Sequence, residues 1–173
     1  MTNHGNQLVM KRKDLEGLPE VVVPEGFVLR EYRDGDDAAW GELVKEYCAT
    51  PFEQIIKSHR FYGGPEAVKF ICVDDKPVAT ATAWGEEGDD TLGVVHMVGA
   101  APEFRGKALG FVVSNAVLHQ LKRDGKTAAA LLTDDFRLPA IKTYLKLGFE
   151  PVIANEEHTN RWEQVYQNLK CSQ

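Results

Sequence analysis

The sequence predicts one α/β (α+β) domain, and three observations predict it. A chain of 173 residues with 43% hydrophobic and 27% charged content is large enough to bury a single core and too balanced in composition to stay unfolded. Three strand-like runs follow one another between residues 68 and 100. Beyond residue 109 the apolar period changes, giving helix, strand, helix and strand in turn.

The first 25 residues are polar, mixed in sign and interrupted by Pro19 and Pro24, so residues 1–25 are expected to be an arm or irregular edge segment laid on a domain formed by 26–173. Gly26 to Tyr32 holds enough branched and aromatic residues for a first strand, and the Asp34-Gly35-Asp36-Asp37 cluster supplies turn and N-cap chemistry. Trp40, Leu43, Val44, Tyr47 and Cys48 then share one helical face, which makes Cys48 a small core residue. Residues 51–60 form a second short helix opened by Pro51 and ending near Gly63-Gly64.

Val68 to Val73 and Val78 to Trp84 read as a hairpin with a four-residue connection, Asp74 to Pro77. After an acidic loop, Thr91 to Ala100 alternates, with Val94, His96, Val98 and Ala100 expected on one face. Leu109, Val113, Val117 and Leu121 mark a helix ending at Asp124-Gly125. Thr127 to Thr133 reads as a strand covered on both faces. A helix from Pro139 closes at Gly148, a strand runs from Phe149 to Ile153, and residues 160–169 are expected to be a last helix, with a strand as the rival.

Composition excludes several functions. Lys and Arg total 20 against 26 Asp and Glu, for a net charge of −6 and a pI near 5.4, which is not the generally basic surface that holds nucleic acid. No apolar run approaches the ~18 residues needed to span a bilayer, and the N-terminus lacks a secretory pattern, so a cytoplasmic protein without membrane attachment is expected. Cys48, Cys72 and Cys171 form no Cys-x-x-Cys pair and the five histidines fall in no ligand pattern, so no metal is expected.

The chemistry concentrates in Pro102 to Gly110, where a buried strand meets an amphipathic helix through small residues and positive charge. Such a turn gathers unpaired amides and the positive helix end in one small volume, which suits a diphosphate, with Arg105 and Lys107 at its rim. Neither Gly-x-x-x-x-Gly-Lys-Ser/Thr nor Gly-x-Gly-x-x-Gly occurs, which excludes a P-loop and a Rossmann site. An ordinary strand-to-helix turn with small residues remains the alternative at this point.

Two stretches extend the argument. Arg105-x-x-Ala108-x-Gly110 resembles the diphosphate loop of the GNAT superfamily of N-acetyltransferases, and Ala140, Tyr144, Gly148 and Phe149 resemble its second signature. The resemblance, which covers about residues 26–153, implies a GNAT fold: a central mixed, mostly antiparallel sheet flanked by helices. It implies acetyl-CoA, or another acyl-CoA, as co-substrate in a V-shaped opening between strands 91–100 and 127–133. Main-chain groups of Val98, Gly99 and Ala100 would pair with the acyl and pantetheine part. The amides of Gly106, Lys107, Ala108, Leu109, Gly110 and Phe111 would hold the diphosphate. Ala108 stands where glycine is usual, tolerable at a negative φ. Arg137 replaces a common asparagine and is expected to reach a CoA phosphate.

The reaction implied is direct attack of an amine on the thioester, which needs a proton acceptor for the amine and a donor for the departing thiolate. Tyr144 occupies the family position for that donor, against the alternative of a core tyrosine. His96 is the candidate base, acting through water, against the alternative of a buried structural histidine; imidazole titrates in the useful range. Cys72, on a strand without a base close in sequence, is a poor candidate for an acyl-enzyme. Asp134 and Asp135 are expected to cap the following helix, and Glu86, Glu87, Asp89 and Asp90 to be solvated surface. The acceptor is expected to be a small-molecule amine or a peptide amine, and a homodimer is the assembly the family offers. The competing function is an acyl-CoA-binding or sensor module with the same fold and little turnover.

Overall fold

A computed structural model describes residues 7–57 and 63–171. Seven strands form one sheet in the order β2-β3-β4-β5-β6-β1-β7. In chain order they are β1 (Leu8–Arg12), β2 (Val28–Glu31), β3 (Val68–Val73), β4 (Lys76–Glu86), β5 (Asp89–Ala100), β6 (Ala128–Thr133) and β7 (Glu150–Pro151). The helices are α1 (Asp37–Val44), α2 (Phe52–Ile56), α3 (Leu109–Arg123), α4 (Leu138–Lys146) and α5 (Glu156–Cys171). All pairings are antiparallel except β5 with β6, so the sheet is mixed and mostly antiparallel. Residues 160–169 lie within α5, which settles helix over strand. Residues 58–60 of the expected second helix lie outside the described residues. Among the described residues no helix is long and apolar enough to cross a membrane.

Two apolar clusters fill the sheet's surroundings. One gathers α3, α4 and α5 side chains, such as Val113, Val117, Ile141 and Trp162, with Leu8, Met10, Ile71 and Leu131 of the strands. The other packs Trp40, Val44 and Phe52 against Phe70, Trp84 and Val94, with Cys48 half-buried at its margin.

The N-terminal segment departs from the expected arm. Leu8 and Met10 are fully buried, and β1 lies inside the sheet, paired with β6 from Leu8 opposite Thr133 to Arg12 opposite Ala129 and with β7 at Met10 and Lys11. The alternation Leu8, Met10 is a two-residue signal too short to stand out from its polar neighbours. Arg12 then ties the segment down. Its guanidinium donates to the carbonyls of Leu147 (2.5 Å), Glu16 (2.7 Å) and Asp14 (2.8 Å), so it covers carbonyl oxygen that the end of α4 leaves unpaired.

Other differences are local. The β3–β4 hairpin turns through Asp74 and Asp75 alone, with φ of 48° and 63°, the left-handed pair of a two-residue turn whose twist matches the strands. Lys76 and Pro77 belong to β4, opposite Val73 and Cys72. The N-cap position of α4 is held by Arg137 without a side-chain cap. Asp135 pairs instead with Arg161 of α5, which holds its carboxyl below the usual carboxylate range, and Asp134 accepts from Gln7 at 3.3 Å. Asp89 likewise accepts from the Thr91 amide (2.9 Å) and hydroxyl (2.7 Å), so it shapes the β4–β5 turn.

The interior position of β1 predicts the cost of emptying it. Met10→Ala is expected to lower unfolding free energy in urea by about 2–5 kcal/mol, the range for emptying a packed aliphatic site. A surface arm would give a change within about 0.5 kcal/mol.

Candidate active site

The site begins where β5 and β6 part. They pair in parallel only at Leu92–Ala128, Gly93–Ala129 and Val94–Ala130. Past that point β6 continues alongside β1, while β5 stays on β4. Between the diverging ends is a cavity of about 370 Å³, lined by Val94 to Val98, Leu132, Arg137 and Tyr144, with Tyr47, Trp84 and Gln7 closing it. Its size falls within the range of small-molecule sites, about 300–1,000 Å³.

A β-bulge governs what β5 presents to this cavity. Thr82 faces His96 and Thr80 faces Gly99, so Ala81 is matched by two residues, and Met97 has φ of 50°. The simple alternation expected for residues 94–100 therefore breaks at Met97. His96 shares a face with Val94 and Gly99, toward α1, whereas Val98 packs with the opposite cluster. Gly99 is required there: a Cβ would come within 2.2 Å of the Leu43 carbonyl oxygen and 2.3 Å of the Tyr47 hydroxyl. The His96 ring stands edge-on to Trp84 with centroids 4.1 Å apart, half-buried at the cavity wall.

Tyr144 enters from α4. It is 2% exposed and in edge contact with Phe149, yet it also lines the cavity, so one side chain both packs in the core and faces the opening. Burial pushes its hydroxyl up from the ordinary value near 10, and the Arg137 charge opposes that shift. It is therefore protonated at neutral pH, the state a proton donor needs. Arg137 makes its contacts at β5 and at Tyr47. Its Nη2 donates to the Val98 carbonyl at 3.1 Å, and its guanidinium carbon lies 4.5 Å from the Tyr47 ring centroid.

The loop from Ala101 to Ala108 leads directly from the open end of β5 to α3. Gly106 has φ of 82° and Ala108, the N-cap residue, has φ of 56°. The negative φ expected for Ala108 is thus corrected: the backbone keeps the left-handed conformation and alanine bears the strain. No side chain caps α3. The amides of Leu109 and Gly110 open the first turn, where helix geometry provides no acceptor. Phe111 and Val112 amides both turn inward to the Ala108 carbonyl, at 3.0 and 3.2 Å. The expected set of diphosphate-holding amides is therefore shortened by Phe111. A Cβ on Gly106 or Gly110 would meet nothing within 4 Å, so internal packing does not demand glycine at either place, and a ligand could approach the main chain there. Arg105 and Lys107 are exposed beside this loop, with the Lys107 ammonium 6.0 Å from the Phe27 ring centroid.

Three residues at the cavity were missed from sequence. Tyr47 had a visible signal, but its helical spacing from Trp40 suggested core; the helix ends at Val44, and Tyr47 follows in a turn. Trp84 and Gln7 gave no separate signal. The acidic loop 86–90 does not line the cavity. Among the described residues no cluster of three or more His, Cys, Asp or Glu could hold a metal.

The strain at position 108 is directly testable. Ala108→Gly removes the left-handed penalty of about 1–2 kcal/mol and loses part of that gain to the freer unfolded chain. The variant is expected to be more stable by roughly 1 kcal/mol, read as a raised midpoint of thermal unfolding. An unchanged or lowered midpoint would show that Ala108 does not adopt this conformation.

Known proteins share this architecture. Mycothiol acetyltransferase from Rhodococcus erythropolis is 30% identical over 161 residues, covering 83% of this chain and 54% of its own length. Its counterpart from Actinosynnema mirum is 28% identical over 153 residues, covering 83% and 51%. The chain thus spans about half the length of the curated relatives it matches. Among solved structures, a GCN5-related N-acetyltransferase from Sphaerobacter thermophilus superposes with a TM-score of 0.68 at 24% identity, covering 84% of this chain and 48% of that one. The ribosomal-protein-S18-alanine N-acetyltransferase of Escherichia coli gives 0.58 at 17%, covering 73% and 79%. These two establish the shared fold. Residues 29–149 match the acetyltransferase (GNAT) family, and the chain belongs to it.

Proposed function

We propose that the chain is an acyl-CoA-dependent N-acyltransferase that moves an acetyl group from acetyl-CoA to a primary amine by direct attack. The observation that carries this reading is continuity: the open end of β5 at Val98 to Ala100 is joined through the single loop Ala101 to Ala108 to the uncapped start of α3. One extended donor can place its diphosphate over the amides of Gly106 to Gly110, with Arg105 and Lys107 beside it. Its pantetheine then follows the edge of β5 that no strand covers, and its thioester enters the cavity that holds Tyr144 and His96. Helix amides and flanking cations favour the anion.

In the reaction the amine nitrogen attacks the thioester carbon, the C–S bond breaks, and sulfur keeps the electron pair. Tyr144 gives the sulfur a proton, and His96, through a water, takes the proton that the amine loses. The products are an amide and the free thiol. Arg137 is the only formally charged residue among the described lining residues apart from the titratable His96, so the cavity itself offers no carboxylate for a polycation. The similarity to proteins named mycothiol acetyltransferase makes a small-molecule amine the first acceptor class to assay, ahead of a peptide amine. A cytoplasmic location is part of the same proposal.

The test is release of free thiol from acetyl-CoA against a panel of amines. On an acceptor that reacts, Tyr144→Phe is expected to lower kcat by roughly 10²-fold with little change in cofactor affinity. Wild-type turnover by that variant would leave Tyr144 as core packing only. His96→Ala is expected to remove the ascending limb of kcat/KM in the range where imidazole titrates; an unchanged profile in the folded variant would make His96 structural. Tight acyl-CoA binding without thiol release for any amine would favour the sensor module.

A further inference from the structure

The placement of Arg137 does not fit a phosphate contact. Its guanidinium is half-buried in the cavity wall, bonded to the neutral Val98 carbonyl at 3.1 Å, with its carbon 4.5 Å from the Tyr47 ring centroid. Among the described residues it has no carboxylate partner. Arg30, which is also largely buried, shows the usual arrangement: a two-pronged pair with Asp36 at 2.6 and 3.0 Å. A guanidinium partly withdrawn from water, with a carbonyl and a ring face beside it and no carboxylate among the described residues, keeps its full charge. Its charge is left available to whatever enters the cavity.

The same cavity is lined by Tyr144, so the guanidinium and the phenol face one enclosed space. We propose that Arg137 is an electrostatic catalytic residue, whose guanidinium stabilises the negative charge that develops on the CoA sulfur as the C–S bond breaks. This deepens the acyltransferase reading and rests on it. Sulfur takes the bonding pair and becomes a thiolate beside the cation. The Tyr144 proton then moves to sulfur, and the negative charge passes to the phenolic oxygen. The same guanidinium serves the charge at both positions until Tyr144 is reprotonated by water. A charge fixed beside the reacting atoms in a partly enclosed site acts more strongly than the same charge in solution and needs no rearrangement when the bond breaks. The Val98 carbonyl and the Tyr47 ring keep it aimed. Neither neutralises it.

The experiment compares CoA with desulfo-CoA, which lacks only the sulfur, in the full chain. Binding of each is measured by calorimetry from about pH 6.5 to about pH 9, across the ordinary thiol pKa near 8.5. A cation beside the sulfur lowers the bound thiol's pKa below its free value. The preference for CoA over desulfo-CoA must then grow as pH rises through the bound pKa and level off above the free one. Each unit of lowering gives about tenfold. The wild type is expected to gain tenfold or more. Arg137→Gln is expected to show a flat preference, a kcat lowered about tenfold or more, and desulfo-CoA affinity within about threefold of wild type. Arg137→Lys, which keeps the charge, should restore part of both effects, as a purely structural contact from the guanidinium would not.

A flat preference in the wild type, or a full gain retained in Arg137→Gln, overturns the inference and leaves the acyltransferase reading standing. Failure of the wild type to bind either CoA or desulfo-CoA overturns both. An Arg137→Gln variant that loses desulfo-CoA binding as well as CoA binding, with Arg137→Lys equally impaired, would make the residue a structural or cofactor-holding contact instead.

Discussion

Two neighbouring strands that share hydrogen bonds at only one end create everything this site has. If β5 and β6 paired along their full length, the main chain from Val95 to Ala100 would be used within the sheet and no cavity would open beneath α4. Beyond Val94 the two strands part: β6 keeps β1 on its other edge from Ala129 to Thr133, and β5 keeps β4 on its other edge through a bulge at Met97. Gly99 secures the bent strand by admitting the Leu43 carbonyl and Tyr47 hydroxyl where any side chain would collide. The N-terminal strand is thus part of the site's architecture although only Gln7, just before it, lines the cavity.

The electrostatics follow from that opening. The loop after β5 starts a 15-residue helix with no side-chain cap, so the first-turn amides are left for an anion supplied from outside. The cavity at the other end of the opening carries one guanidinium without a carboxylate partner among the described residues and one buried, protonated phenol. Anion-favouring features therefore sit at both ends of the parted strands, one suited to a standing charge and the other to a charge that appears during reaction. This distribution is invisible in a net charge of −6, which is carried elsewhere on the surface.

Much of this was legible in the sequence because the second half of the chain states its periods clearly. The α3 stripe, the doubly covered β6 and the Gly148 stop after α4, which has φ of 80°, each follow from a local signal that tertiary packing reinforces. What could not be read depends on partners distant in sequence. Leu8 and Met10 become interior only because β6 and β7 flank them. The bulge at Met97 is a two-against-one match with β4, and no pattern within 91–100 encodes it. Ala108 keeps a left-handed φ because the loop geometry demands it, and a residue type alone does not reveal a strained backbone. Arg137 was identified as unusual by its position, but its direction across the opening is set by the Val98 carbonyl and the Tyr47 ring.

The central claim is that one donor lies along the parted edge of β5 with its diphosphate on the start of α3. A titration of the ¹⁵N-labelled chain with acetyl-CoA, followed by amide NMR, tests it most directly. The account predicts the largest shifts at Gly106 to Gly110 and at Val98 to Ala100, with α2 and the β2 edge little affected. Shifts concentrated on β2 and on the second half of α3, with the 98–110 amides unmoved, would contradict it.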